Sequence, residues 1–115
     1  MSLDIELYYL VDIEQEIQGQ YIVWHGNITH NLNVMADKAG IYMEVWRPNE
    51  IGVKKAFDIV SALGKAIKDL QTRPSYYRKY NPKNNWGSYE TFLEFIKQYQ
   101  FNCKKYPNSM IGVCR

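Results

Sequence analysis

The amino-acid sequence predicts an α+β fold of ββα(α)αβ order, a small antiparallel sheet of about three strands with helices packed on one face. Three observations carry this. Residues 3–13 alternate between apolar and polar side chains, the two-residue period of a half-buried strand. Two later segments, near 50–72 and 88–105, repeat apolar residues at helical spacing. The 115 residues, 46% hydrophobic and 23% charged, suit a single domain over 1–115 with a core of its own. That balance excludes a chain disordered throughout, and no apolar run approaches the ~18 residues of a membrane span.

In the first strand Leu3, Ile5, Leu7, Tyr9, Val11 and Ile13 share one face, of which Ile5, Leu7, Tyr9 and Val11 are the expected buried set, and Asp4, Glu6 and Asp12 share the other. Residues 15–19 are polar and end in Gly19, a hairpin loop. Residues 20–28 are rich in β-branched and aromatic side chains and form the return strand, in which Gly26 marks a bulge or a close approach. Leu32, Met35, Ala36 and Ala39 define a short helix near 30–39, capped by Thr29 or Asn31 and ended by a left-handed Gly40. Residues 41–46 are ambiguous, and Arg47-Pro48 breaks them.

Val53, Ala56, Phe57, Val60, Leu63, Ile67 and Leu70 then mark one long helix near 50–72, stopped by Pro74, with a further turn in residues 75–80. Residues 81–87 form a loop. Ser88 caps a helix whose stripe is Phe92, Ile96, Tyr99, Cys103 and Tyr106, and residues 110–114 form the last strand. Phe57, Leu63, Ile67, Phe92, Ile96 and Cys103 are the expected core between helices and sheet.

The net charge of +2 conceals an asymmetry. Residues 1–50 carry two basic and eight acidic side chains, −6, whereas residues 51–115 carry twelve basic and four acidic, +8. Either the halves neutralise each other inside one fold, or an acidic face meets a basic face on another subunit, or the basic face meets a polyanion. Cys103 lies in an apolar stripe, and Cys103 and Cys114 have neither disulfide-framework nor zinc spacing. Met1-Ser2-Leu3-Asp4 has neither the basic nor the apolar region of a signal peptide, so the expected setting is reducing and cytoplasmic, with no membrane partner.

Four groups of residues are candidates for function. Thr29, His30 and Asn31 stand at a helix start, where free N–H groups favour anions; the plain alternative is a cap. Trp46-Arg47-Pro48 offers a guanidinium fork and an indole, or else a buried Trp beside a surface ion pair. The loop Asn81 to Tyr89 gathers amides, Trp86, Gly87 and a phenol, as a binding loop or as a connector in which Asn84 and Asn85 form turns and Trp86 plugs the core. Arg73, Tyr76, Tyr77, Arg78, Lys79, Tyr80, Lys83 and Trp86 interleave cations and rings as single-strand binders do, or form a solvated connector. His25 and His30 lack partners for a metal set, Ser88 lacks a nucleophile context, and no cofactor is implied.

The combination Ile28-Thr29-His30-Asn31, Met35-Ala36, Gly40-Ile41-Tyr42, Trp46-Arg47-Pro48, Asn81-Pro82 and Trp86-Gly87-Ser88-Tyr89 resembles a family of small proteins encoded in tailed phages and prophages, itself of unknown function. The resemblance runs from about Ile28 to the C-terminus and implies a bacterial host cytoplasm, but no activity.

The leading expectation is an accessory binding protein that takes a small anionic ligand or a host protein. Its site would be His30, Asn31, Arg47, Asn85, Trp86 and Tyr89, with His30, Asn31, Arg47 and the Asn85-Trp86 segment around one polar pocket. The alternatives are a small enzyme acting on a phosphorylated substrate through His30 and Arg47, and a single-stranded nucleic-acid binder through residues 73–86. A homo-oligomer is a further expectation from the acidic and basic halves.

Overall fold

A computed structural model describes residues 1–14 and 17–115. Among these, strand β1 (Ser2–Glu14) pairs antiparallel with β2 (Ile17–Thr29) and with β3 (Met110–Cys114), in the order β2-β1-β3. The expected α+β class and strand positions hold. Gln15 and Glu16 of the expected hairpin loop lie outside the described residues, and Ile17 to Gly19 already belong to β2.

The register puts the odd residues of β1 toward the helices. Leu3, Ile5 and Leu7 are fully buried, opposite Ile28, Gly26 and Trp24 on β2. Gly26 is a close approach: a Cβ there would stand 2.4 Å from the Trp24 indole and 3.0 Å from Phe95. Trp24 covers that glycine and stacks on Tyr99, ring centroids 5.2 Å apart. The irregularity of β2 falls elsewhere, between the Leu7–Trp24 and Tyr8–Ile22 pairs. The even residues Asp4, Glu6 and Tyr8 face away from the core beside Asn27, His25 and Ile22.

Burial of the odd face stops at Leu7. Tyr9 is only half-buried, while Val11 and Ile13 are 40% and 64% exposed. The expected buried set is therefore right in register and too long: the helices cover the face only as far as Leu7, and β3 accompanies β1 only from Asp4 to Tyr8. The remainder of the hairpin stands clear as a two-stranded arm, in a molecule of 54 × 27 × 22 Å.

Thr29 caps a 3-10 turn (His30–Leu32) that leads into α1 (Asn33–Lys38), and Gly40 ends it with φ +76°. The ambiguous residues form α2 (Tyr42–Trp46). The predicted single helix near 50–72 is corrected. It comprises 3-10 turns at Pro48–Ile51 and Ala56–Ile59 and then α3 (Val60–Thr72). Two features break the first part. Gly52 takes φ +77°. The Asp58 carboxylate accepts from the backbone N–H groups of Lys54 and Lys55, both at 3.1 Å, and these bonds hold its pKa below the usual range. That bend lays Lys55 beside Met110 of β3 and turns Phe57 out to 66% exposure, so Phe57 is not a core residue.

α4 (Pro74–Arg78) is the further turn, and Ser88 with Thr91 forms a reciprocal capping box at the start of α5 (Tyr89–Lys105). α5 packs on α3 and β2, burying Tyr89, Phe92, Ile96, Tyr99 and Cys103. Leu63 joins this core and Ile67 packs at its edge. Burial pushes the Cys103 thiol up to about 12, so it behaves as a small apolar side chain.

Two substitutions in α5 test this core. Ile96→Ala is expected to cost ~2–5 kcal/mol in denaturant titrations, and a loss below half a kcal/mol would place Ile96 outside it. Tyr99 is fully buried and its hydroxyl has no hydrogen-bond partner among the described residues. Because a stranded buried hydroxyl costs about 1–3 kcal/mol, Tyr99→Phe is expected to keep or raise the stability. A marked loss would mean that the hydroxyl is satisfied.

Candidate functional site

The base of the hairpin carries the candidate site. β2 delivers the chain to Thr29, whose hydroxyl accepts from the Asn31 N–H at 3.3 Å, while the His30 N–H donates to the Met1 carbonyl at 3.4 Å. Those backbone donors are already used, and the turn is followed by a helix of six residues. Attraction for an anion therefore rests on side chains here, not on a helix terminus.

An open concavity of about 420 Å³ lies beside this turn, lined by His30, Asn31, Asn33, Pro82, Lys83 and Asn84. The turn and the loop are brought together by Gly87. Its φ is +97°, and a Cβ there would meet Thr29 Cγ2 at 2.8 Å and Leu32 Cγ at 2.9 Å. The glycine thus admits backbone against the helix start, the place where sequence reasoning put a ligand.

Next to Gly87 the loop is held by hydrogen bonds of its own. The Asn84 side chain accepts from the Trp86 N–H at 3.0 Å, the Asn85 N–H donates to the Pro82 carbonyl at 3.2 Å, and Asn85 takes φ 63°. Asparagine tolerates that left-handed conformation better than most residues. Trp86 is 65% exposed and is not a core plug.

His30 is oriented from behind. The Trp46 indole N–H donates to His30 Nδ1 at 3.0 Å. The indole can only donate, so His30 Nδ1 carries no proton and Nε2 is the donor of the neutral ring. Trp46 is buried and stacks on Tyr42 with an interplanar angle of 11°.

Arg47 is turned elsewhere. Its Nε donates to the Tyr42 hydroxyl at 3.2 Å and its Nη1 to Glu50 at 2.7 Å, contacts that raise its pKa further. Arg115 joins this group by donating to the Trp46 carbonyl at 3.1 Å.

The six expected site residues thus separate. His30 and Asn31 share the concavity. Asn85 and Trp86 lie in its loop without lining it, and Arg47 is in the ion pair with Glu50. Tyr89 is buried, with its hydroxyl on the Leu70 carbonyl at 2.6 Å and its N–H on Asn81. Asn33, Lys83 and Asn84 were not among the expected site residues. The available signal was Lys83 set between Pro82 and two asparagines in the one clear loop.

In residues 73–86, Arg73 pairs with Asp69 and Arg78 with Glu90, both pairs staying in the same half of the chain. The buried Tyr77 donates its hydroxyl to Asp69. Arg73, then Tyr77, hold the Asp69 carboxyl below its usual range, and burial pushes Tyr77 up to about 12. Cations and rings here mostly satisfy one another.

No protein-family model matches the chain, and neither a curated protein nor a solved structure matches it. Among the described residues, no helix is long and apolar enough to cross a membrane.

Gly87→Ala tests the contact that assembles the concavity. The strained φ and the collision with Thr29 and Leu32 are expected to cost about 1–3 kcal/mol in denaturant titrations. An unchanged midpoint would show that the loop stands off the turn.

Proposed function

We propose that the chain is a non-enzymatic binding protein that captures a small anionic ligand, a nucleotide or a sugar phosphate, between His30 and the Pro82–Asn84 loop. Its place among phage or prophage accessory proteins, and so in a bacterial cytoplasm, is part of the same proposal and is supported by the motif string running from Ile28.

One observation carries the ligand reading: the residues lining the concavity supply donors and no carboxylate. His30 Nε2 offers an N–H, and Lys83 an ammonium with three donors. The Asn84 oxygen is engaged by the Trp86 N–H, which leaves its amide NH2 as a donor, and Asn31 and Asn33 add further amides. Such a lining selects against cations and rewards phosphate or carboxylate oxygens. Trp86, exposed on the same loop, offers a face to a ring carried by the ligand. The enzyme alternative is less well supported, because Arg47 is not beside His30 in the concavity but on Tyr42 and Glu50.

Thermal melts and calorimetry with inorganic phosphate, nucleoside monophosphates, a pentose phosphate and single-stranded DNA test the reading. A ligand at a hundred times its Kd is expected to add about 2.7 kcal/mol of stability. Lys83→Ala should weaken binding about tenfold or more, the weight of a hydrogen bond to a charged group. No shift with any small anion at millimolar concentration would overturn the proposal, and binding confined to DNA would favour residues 73–86.

A further inference from the structure

The arm formed by β1 and β2 beyond Tyr8 exposes apolar side chains on both faces: Leu10 48%, Ile13 64%, Ile17 51%, Tyr21 63% and Ile22 49%. Past Tyr8 the second edge of β1 has no strand beside it among the described residues. A two-stranded hairpin with such side chains is marginal in water, and an apolar patch of this kind marks an interaction surface. Its charges have one sign. Residues 1–37 contain no Lys or Arg, and the arm carries Asp12 and Glu14.

The chain also carries a surface that fits this arm. The outer face of α5 presents Lys97, Phe101 and Lys104 at the i, i+4, i+7 spacing of one stripe, with Phe101 62% exposed. Glu94, Lys97, Gln98 and Phe101 line a shallow depression there. From Glu94 to Lys105 the helix runs ~17 Å, and the six arm residues of β1 run ~20 Å.

The charge distribution says what should meet what. Among the described residues four arginine–carboxylate ion pairs form, and only Arg115–Glu50, at 3.7 Å, joins the acidic half of the chain to the basic half. Asp12, Glu14, Lys97 and Lys104 are in none of them. The halves therefore do not neutralise each other through internal pairing, and both complementary surfaces are left open.

We infer that the arm docks on a second copy of this chain, with Leu10 and Ile22 against Phe101 on the outer face of α5 and Asp12, which shares their face of the arm, toward Lys97 and Lys104. Exchange is reciprocal. A two-fold axis makes the contact twice, which brings the buried area toward that of a specific interface from an arm too slender to supply it once. This dimer is independent of the anion reading, since the concavity lies at the other end of the hairpin.

Sedimentation of the full chain over a concentration series is the test. The expected result is a monomer–dimer equilibrium whose Kd rises with salt, as for exposed charge pairs. Asp12→Lys, and separately Lys97→Glu with Lys104→Glu, should each raise Kd about tenfold or more. The combined triple variant should return to within about threefold of the parent, the signature of direct coupling. Phe101→Ser should raise Kd without any change of charge. These side chains are exposed and unpaired, so thermal melts of the monomer should match the parent and show that each variant folds. A monomer at every concentration would overturn the inference. So would a dimer indifferent to the lysine reversals, which would point to arm-on-arm pairing, or a triple variant that is not rescued.

Discussion

The apolar face of β1 has to be taken out of water, and the helices reach only part of it. A strand buries alternate residues wherever a layer lies against it, and here that layer is built around α5 and α3. Leu3, Ile5 and Leu7 lie beneath it. Trp24 spans the gap between sheet and helix, lying over Gly26 and stacking on Tyr99, so that a missing side chain on β2 becomes the seat of its largest one. β3 closes the other side of β1 over the same stretch and ends with it. Core depth, sheet width and the point where the arm begins all follow from how far the helical layer extends.

Local signals were therefore legible in the sequence and extents were not. The alternation of residues 3–13 specified which face turns inward, because a one-residue slip would expose the whole apolar set. It carried no information about where the cover stops, which depends on helices far along the chain. Phe57 shows the same limit. Its spacing from Val53, Val60 and Leu63 suits a helix, but Gly52 and the Asp58 carboxylate bend the segment into 3-10 turns and turn the ring outward. The caps at Thr29 and Ser88, the stop at Gly40 and the stripe of α5 were readable because each depends on neighbours within a turn or two.

The candidate site divides along the same line. His30 and Asn31 stood out by type and position. The 81–89 loop stood out too and was expected against the same turn, but through Asn85 and Trp86; Lys83 and Asn84 line the concavity instead, because which loop residues face the turn depends on how the loop closes, not on local pattern. The deciding residue is Gly87, whose missing side chain lets the loop close on Thr29 and Leu32. Arg47 misled for a chemical reason. A guanidinium beside a chain-breaking proline looks poised for a ligand, but Glu50 lies three residues on and Tyr42 five residues back, and a nearby partner is the less costly one to find.

The same accounting connects composition to surface. A chain with halves of −6 and +8 can spread its charges as internal pairs or as separate faces, and this one uses mostly local pairs. Arg73 with Asp69 and Arg47 with Glu50 each consume a cation and an anion from the same half, so they leave the imbalance between the halves untouched. What remains is an acidic, apolar arm and a basic helix face with an aromatic residue at its centre. Opposite potentials held apart on separate faces of one chain are not relieved by rotating side chains, and screening by salt weakens them without cancelling them. Association with a second copy is the relief we infer for them, whereas the concavity at the base of the hairpin draws its donors from both halves, His30, Asn31 and Asn33 from the first and Lys83 and Asn84 from the second.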